Sequence, residues 1–298
     1  MRDIAARNAR EPSRHPSWLL SLGILSALFA LTTATTACEY ESQVKAADGY
    51  SVELVASGLI RVDGIARDLQ GALIVSQEYR GGSLLRVDPR SGTYTYIARD
   101  LASPDNVVVR PDGEILVTEE FAEGRIISIS PVGEQTVFAS DLQKPEGLDV
   151  DKDGYVYVVE HWIPGRLFRF APDGTRELIS DQIVDGEGLR VIDDGSIIVA
   201  ETSANRLARV YPDGSIEYLA EGGIEAPDGV VYDFDREVLY VTEDLGPGRL
   251  VEVDLETGAV TTLAYDMSAP QTMLIEDDGS ILVAEQGEDR VLRIRRNP

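Results

Sequence analysis

Six positions, 41 to 43 residues apart, carry an acid or amide followed by a small or turn-forming residue: Asp63-Gly64, Asp105-Asn106, Glu146-Gly147, Glu187-Gly188, Asp228-Gly229 and Gln271-Thr272. Five of the six are carboxylates, and no Lys or Arg recurs beside them. Gathered around one axis at ~7 Å spacing, each neighbouring pair would cost roughly 2 kcal/mol at an effective dielectric of ~20. Such a ring must hold protons or a cation. Hard oxygen donors, with no Cys or His in the series, favour Ca²⁺, with Mg²⁺, Mn²⁺ or Zn²⁺ as alternatives. The plainer reading is that these acids cap backbone N–H groups in Asx-type turns.

A second series lies fourteen or fifteen residues further on: Gln77, Glu119, Glu160, Glu201, Glu243 and Glu285. Five or six residues after each Glu stands an arginine, namely Arg125, Arg166, Arg206, Arg249 and Arg290; after Gln77 the matching residue is Ser83. Acid and base are present or absent together. That covariation across the repeats predicts one structural ion pair per repeat, because a buried charge without its partner is costly.

The elements that must position both series follow from the clearest repeat, KPEGLDVDKDGYVYVVEHWIPGRLFRFAPDGTRELISDQI. Leu148–Val150 reads as a strand, Asp153-Gly154 as a hairpin turn, and Tyr155–Val159 as a second strand apolar on both faces. Arg166–Phe170 and Arg176–Ser180 follow as third and fourth strands. A period near 42 residues with four antiparallel strands per unit predicts a propeller. The fold class is all-β, a six-bladed β-propeller over 49–298. The sixth copy stops after its third strand, and Tyr50–Ala56 is expected to supply the fourth and close the ring. The first series then forms an inner ring at the channel mouth and the second an outer ring.

Residues 1–37 have the pattern of a signal peptide: an Arg-bearing start, an apolar run from Trp18 to Leu31, then small residues before Cys38. Cys38 directly after Ala37 resembles a bacterial lipobox, which implies lipidation at Cys38 and an exported lipoprotein of the periplasm or cell envelope. Ordinary cleavage with an incidental Cys, or an uncleaved anchor, are the alternatives. Residues 38–48 read as a polar tether. The chain carries −25 overall. The first 37 residues hold four arginines and two acids, so the remainder, with 23 basic and 50 acidic residues, carries −27. That surface excludes nucleic acid as a partner and membrane contact other than through a lipid anchor. A monomer acting on a small molecule is expected.

His161 is the only histidine after the signal segment. It sits between Glu160 and Trp162 in a loop expected to overlook the mouth, either as a general base or as a packed loop residue. Asp149, Asp151, Asp153, Gly154 and Glu160 match EF-hand loop spacing, but the flanks are strands, so this is a hairpin.

The fifth copy, APDGVVYDFDREVLYVTEDLGPGRLVEVDLETG, with the six-copy plan and its N-terminal closing strand, resembles the senescence marker protein/gluconolactonase family. It is similar more distantly to paraoxonase, strictosidine synthase and NHL-repeat propellers. The resemblance implies one divalent metal at the mouth, held by Asp63, Glu187 and Asp228. It places Glu146 on the substrate. Glu146 and Glu187 stand where that family typically has Asn, and Asp105 is an addition to its ring. The expected function is metal-dependent hydrolysis of lactones or related esters, with Glu146, Asp105 and His161 as catalytic candidates. The alternative is a non-catalytic propeller that docks a basic or cationic partner on its acidic face; a lyase is a third option.

Overall fold

A computed structural model describes residues 44–298; the signal segment, Cys38 and most of the expected tether lie outside the described residues. The chain forms six four-stranded antiparallel blades. Their innermost strands are Val62–Arg67, Pro104–Val109, Pro145–Val150, Gly186–Val191, Pro227–Asp233 and Pro270–Ile275. Each second strand, such as Leu73–Gln77 or Ile281–Glu285, is buried at every position. The cause is visible in the packing: six apolar clusters fill the gaps between adjacent blades, so each second strand is covered on both faces. The ring closes as expected. Tyr50–Ser57 pairs with Arg290–Arg296 as the outermost strand of blade six.

The end of the expected tether behaves differently. Lys45–Ala46 adds a fifth strand to blade five, against Tyr265 and Ala264. Val44 is buried between blades five and six, and Lys45 Nζ reaches Asp266 at 2.7 Å. A two-residue pairing has no periodicity to betray it in a polar stretch.

One local device sets the mouth. In every blade the register between first and second strands shifts at the ring residue, between Val62 and Ile65, Pro104 and Val107, and their equivalents. These bulges turn the ring side chains toward the axis. They also bring neighbouring blades into backbone contact. A Cβ at Gly147 would collide with the Glu187 carbonyl, and one at Gly188 with that of Asp228. Hydroxyls complete the joint: Ser76 Oγ accepts from Gly64 N at 2.6 Å and donates to the Asp105 carbonyl, while Thr242 Oγ1 bridges Gly229 N and the Gln271 carbonyl.

Candidate functional site

The bulges gather all six inner-ring residues, Asp63, Asp105, Glu146, Glu187, Asp228 and Gln271, around one cavity of about 260 Å³ at the channel mouth. The outer ring lies behind it with its charges satisfied. Arg166 Nε meets Glu160 and Arg206 Nε meets Glu201 at 2.6 Å, Arg249 Nε meets Glu243 at 2.6 Å, and Arg125 and Arg290 close on Glu119 and Glu285. The second oxygen of each Glu accepts a backbone N–H from the preceding loop: Ala102, Gln143, Val184, Glu225 and Ser268 at 2.7–3.0 Å. Gln77 instead donates, to the Ile60 carbonyl at 3.1 Å.

The inner ring has no such partners. Burial, and then mutual repulsion, push Asp63, Asp105, Glu146 and Asp228 well above the usual carboxylate range. Glu187 is pushed up to about 8, again chiefly by burial, with Thr202 and Asp228 partly offsetting it through hydrogen bonds. Glu187 Oε2 is buried without a hydrogen-bond partner. That bare oxygen among carboxyls that resist ionisation fits a divalent cation.

A third series, of which the sequence pointed only to His161, completes the mouth: Glu78, Glu120, His161, Thr202, Asp244 and Gln286, each directly after an outer-ring residue. Their placement is six-fold. Each backbone N–H donates to the carbonyl of Arg61, Ser103, Lys144, Asp185, Ala226 or Ala269, two residues before the ring position, at 2.8–3.1 Å. All six acceptor residues have positive φ, from 43° to 57°. The +1 offset from a periodic series was the available signal, but the residue types vary from blade to blade, so no common chemistry marks them.

The mouth is not electrostatically uniform. Among the described residues that line it, the only Lys and Arg are Arg61 and Lys144. Arg61 pairs with Glu78, and Lys144 Nζ with Glu120 at 2.6 Å. Blades four and five contribute Glu187, Asp228 and Asp244 without a base. Gln286 Nε2 donates to Asp63 Oδ2 at 3.0 Å.

His161 faces the inner ring. Its Nδ1 is 2.5 Å from Glu146 Oε1 and its Nε2 is 2.9 Å from Asp185 Oδ1. Ser203 Oγ donates to Asp185 and holds it in place. Burial pulls the imidazolium down, with Asp185 and Glu120 opposing. The geometry resolves that tension. A protonated Glu146 would donate to Nδ1 while Nε2–H donates to Asp185. A neutral ring is then satisfied on both sides. Ligand atoms of Glu120, Glu146 and His161 also lie within 4.8 Å of one another, a second convergence suited to a metal. Asp63, Glu187 and Asp228 share the cavity with it but do not converge as closely.

No protein-family model matches the chain, and no curated protein does. Solved structures do. A candidate gluconolactonase superposes with a TM-score of 0.67 at 15% identity, covering 84% of this chain and 93% of that one. A streptogramin B lyase gives 0.63 at 16%, covering 83% and 98%. A candidate oxidoreductase (glucose dehydrogenase) from Thermus thermophilus gives 0.63 at 15%, covering 83% and 100%. At such identities the likeness is one of fold alone, the six-bladed propeller.

Proposed function

We propose that the acidic mouth holds a divalent cation and hydrolyses lactones or related esters. The observation that carries the reading is the unpartnered, buried Glu187 Oε2 in a ring of carboxyls that burial makes reluctant to ionise. Asp63, Glu187 and Asp228 would hold the ion, with Ca²⁺ first among candidates because the donors are all hard oxygens. Bound there, it supplies Lewis acidity toward a carbonyl oxygen and a more acidic water.

The chain's own part is proton handling. Glu146 and His161 share one proton between Oε1 and Nδ1 at 2.5 Å. Asp185 fixes the ring tautomer by accepting from Nε2. A water attacking a carbonyl must lose a proton and a leaving alkoxide must gain one; this pair stands at the cavity wall where both needs arise. Burial raises the Glu146 carboxyl, and repulsion from Asp105, next round the ring, adds to it, so the two resist ionising together. The candidate gluconolactonase among the structural relatives supports this reading.

A lyase is the second reading, favoured by His161 between two carboxylates and by the streptogramin B lyase among the relatives. Here the same pair would move a proton during elimination, with no water consumed.

The test is metal analysis of the purified protein, followed by assays on aliphatic and sugar lactones with Ca²⁺, Mn²⁺ and Zn²⁺. Stoichiometric metal and lactone turnover are expected, with turnover lost in Asp228→Ala and at least a hundredfold lower in Glu146→Gln. Metal without turnover on any lactone would move the assignment to the lyase or to a non-catalytic partner-binding propeller. Preference for Zn²⁺, lost with Glu120→Gln, would move the ion to Glu120, Glu146 and His161.

A further inference from the structure

Beyond the acidic mouth the channel continues into a second cavity of about 530 Å³, toward the face where the inner strands end. The two cavities share Asn106, Gly188 and Thr272, so they lie back to back on the axis. Their walls differ in kind. Three residues past each ring position stand Ala66, Val108, Asp149, Arg190, Val231 and Leu274, four of them apolar. The exceptions are neighbours: Arg190 Nη1 meets Asp149 Oδ1 at 3.1 Å. Both oxygens of Asp149 are engaged, since it also accepts from Val150 N at 2.8 Å and Val191 N at 2.9 Å. Arg190 is not: its Nε is buried and has no hydrogen-bond partner. Its guanidinium carbon lies 5.5 Å from the ring centre of Phe234, which stays 44% exposed at the rim and packs edge-on against Tyr232 at 4.9 Å.

Buried donors without acceptors are rare, and each calls for an explanation. What Arg190 lacks is an acceptor and not a counter-ion, because Asp149 already balances its charge. Arg67, in the same lining, is already paired with Glu276 at 2.7 Å, and an anion would also face Asp233 and Asp235. The lining is mixed: Val108, Val231 and Leu274 present apolar surface beside the charged Arg67, Asp149, Arg190, Asp233 and Asp235. A concave site that joins apolar contact to placed polar groups is the form small-molecule sites take. We propose that this second cavity binds a neutral, largely apolar molecule bearing a carbonyl or amide oxygen. That oxygen accepts from Arg190 Nε, and the apolar body lies along Val108, Val231 and Leu274 toward Phe234. The site is separate from the acidic mouth and does not depend on the chemistry assigned there.

Calorimetric titration of the purified protein with octanamide, and with octanoate as its charged counterpart, tests the proposal. Saturable one-to-one binding of octanamide is expected, with octanoate at least tenfold weaker. Arg190→Met should weaken octanamide at least tenfold, Val231→Trp should abolish its binding by filling the cavity, and Asp228→Asn at the mouth should leave it unchanged. Should Arg190→Met fail to fold, Val231→Trp alone decides. Absence of saturable octanamide binding, tighter binding of octanoate, insensitivity to Val231→Trp, or loss in Asp228→Asn would each overturn the assignment.

Discussion

Around the outer ring each glutamate meets an arginine one strand away; around the inner ring five carboxylates face one another across a narrow mouth. Both sets are buried and both recur in the same repeat, yet they solve the cost of a buried charge by different means. In the outer ring the counter-charge is covalently part of the blade. In the inner ring the sequence withholds it, and the missing charge has to come from protons or from a bound ion. The lesson is that burial of an acid says little about its role until its partner has been sought.

The comparison predicts opposite responses to mutation. The largest effect should come from Arg290→Ala, which strands the fully buried Glu285 and should cost about 3–5 kcal/mol in denaturant unfolding. Adding Glu285→Gln, the residue blade one carries at this point, should recover most of that loss; no recovery would show that Arg290 acts through packing alone.

A pH effect comes next, and its sign follows from Glu187. The carboxyl is pushed up to about 8 in the folded chain, above its ordinary value near 4.5, so between these limits the folded state binds more protons than the unfolded. Stability is therefore greatest below that window and lost as pH rises through it. Unfolding of EDTA-treated protein should show a fall of roughly 3–5 kcal/mol from pH 5 to pH 8, and Ca²⁺ should flatten it. A flat curve would mean the ring ionises as freely as in the unfolded chain, and a curve that rises with pH would mean the fold favours the ionised form.

Asp228→Asn should then do what no outer-ring change does and stabilise the metal-free protein, by about 1–2 kcal/mol at pH 8. It should also remove the Ca²⁺ response. The smallest effect belongs to blade one: Gln77→Glu together with Ser83→Arg installs the pair found in the other five blades. It should change stability by less than about 1 kcal/mol, whereas Gln77→Glu alone should destabilise measurably.

The blades, both rings and the ion-pair partners were legible because each repeats with a period that chain geometry imposes. Hairpin turns such as Asp153-Gly154 and the apolar second strands mark them locally. Other features depend on closure of the ring and leave no local trace. Glu78, Glu120 and Asp244 belong to the mouth because the carbonyls of Arg61, Ser103 and Ala226 on positive-φ residues hold the loops there. Asp185 reaches His161 from the next blade, across 24 residues of sequence. Its pairing required the angle between blades three and four. The Arg190–Asp149 pair likewise joins neighbouring blades, and nothing in either strand marks one as the other's partner.

Closure has a further consequence for how the molecule comes into being. The outermost strand of blade six, Tyr50–Ser57, is among the first parts of the described chain to be synthesised, and its partner Arg290–Arg296 is among the last. Until residues 270–296 exist, blade one has no blade six to pack against, and the cluster that joins Leu59 and Val75 to Leu282 and Val291 has only one wall. The nascent chain therefore cannot lock itself shut ahead of time. The mouth, which needs all six blades at once, is assembled in the same event that completes the ring.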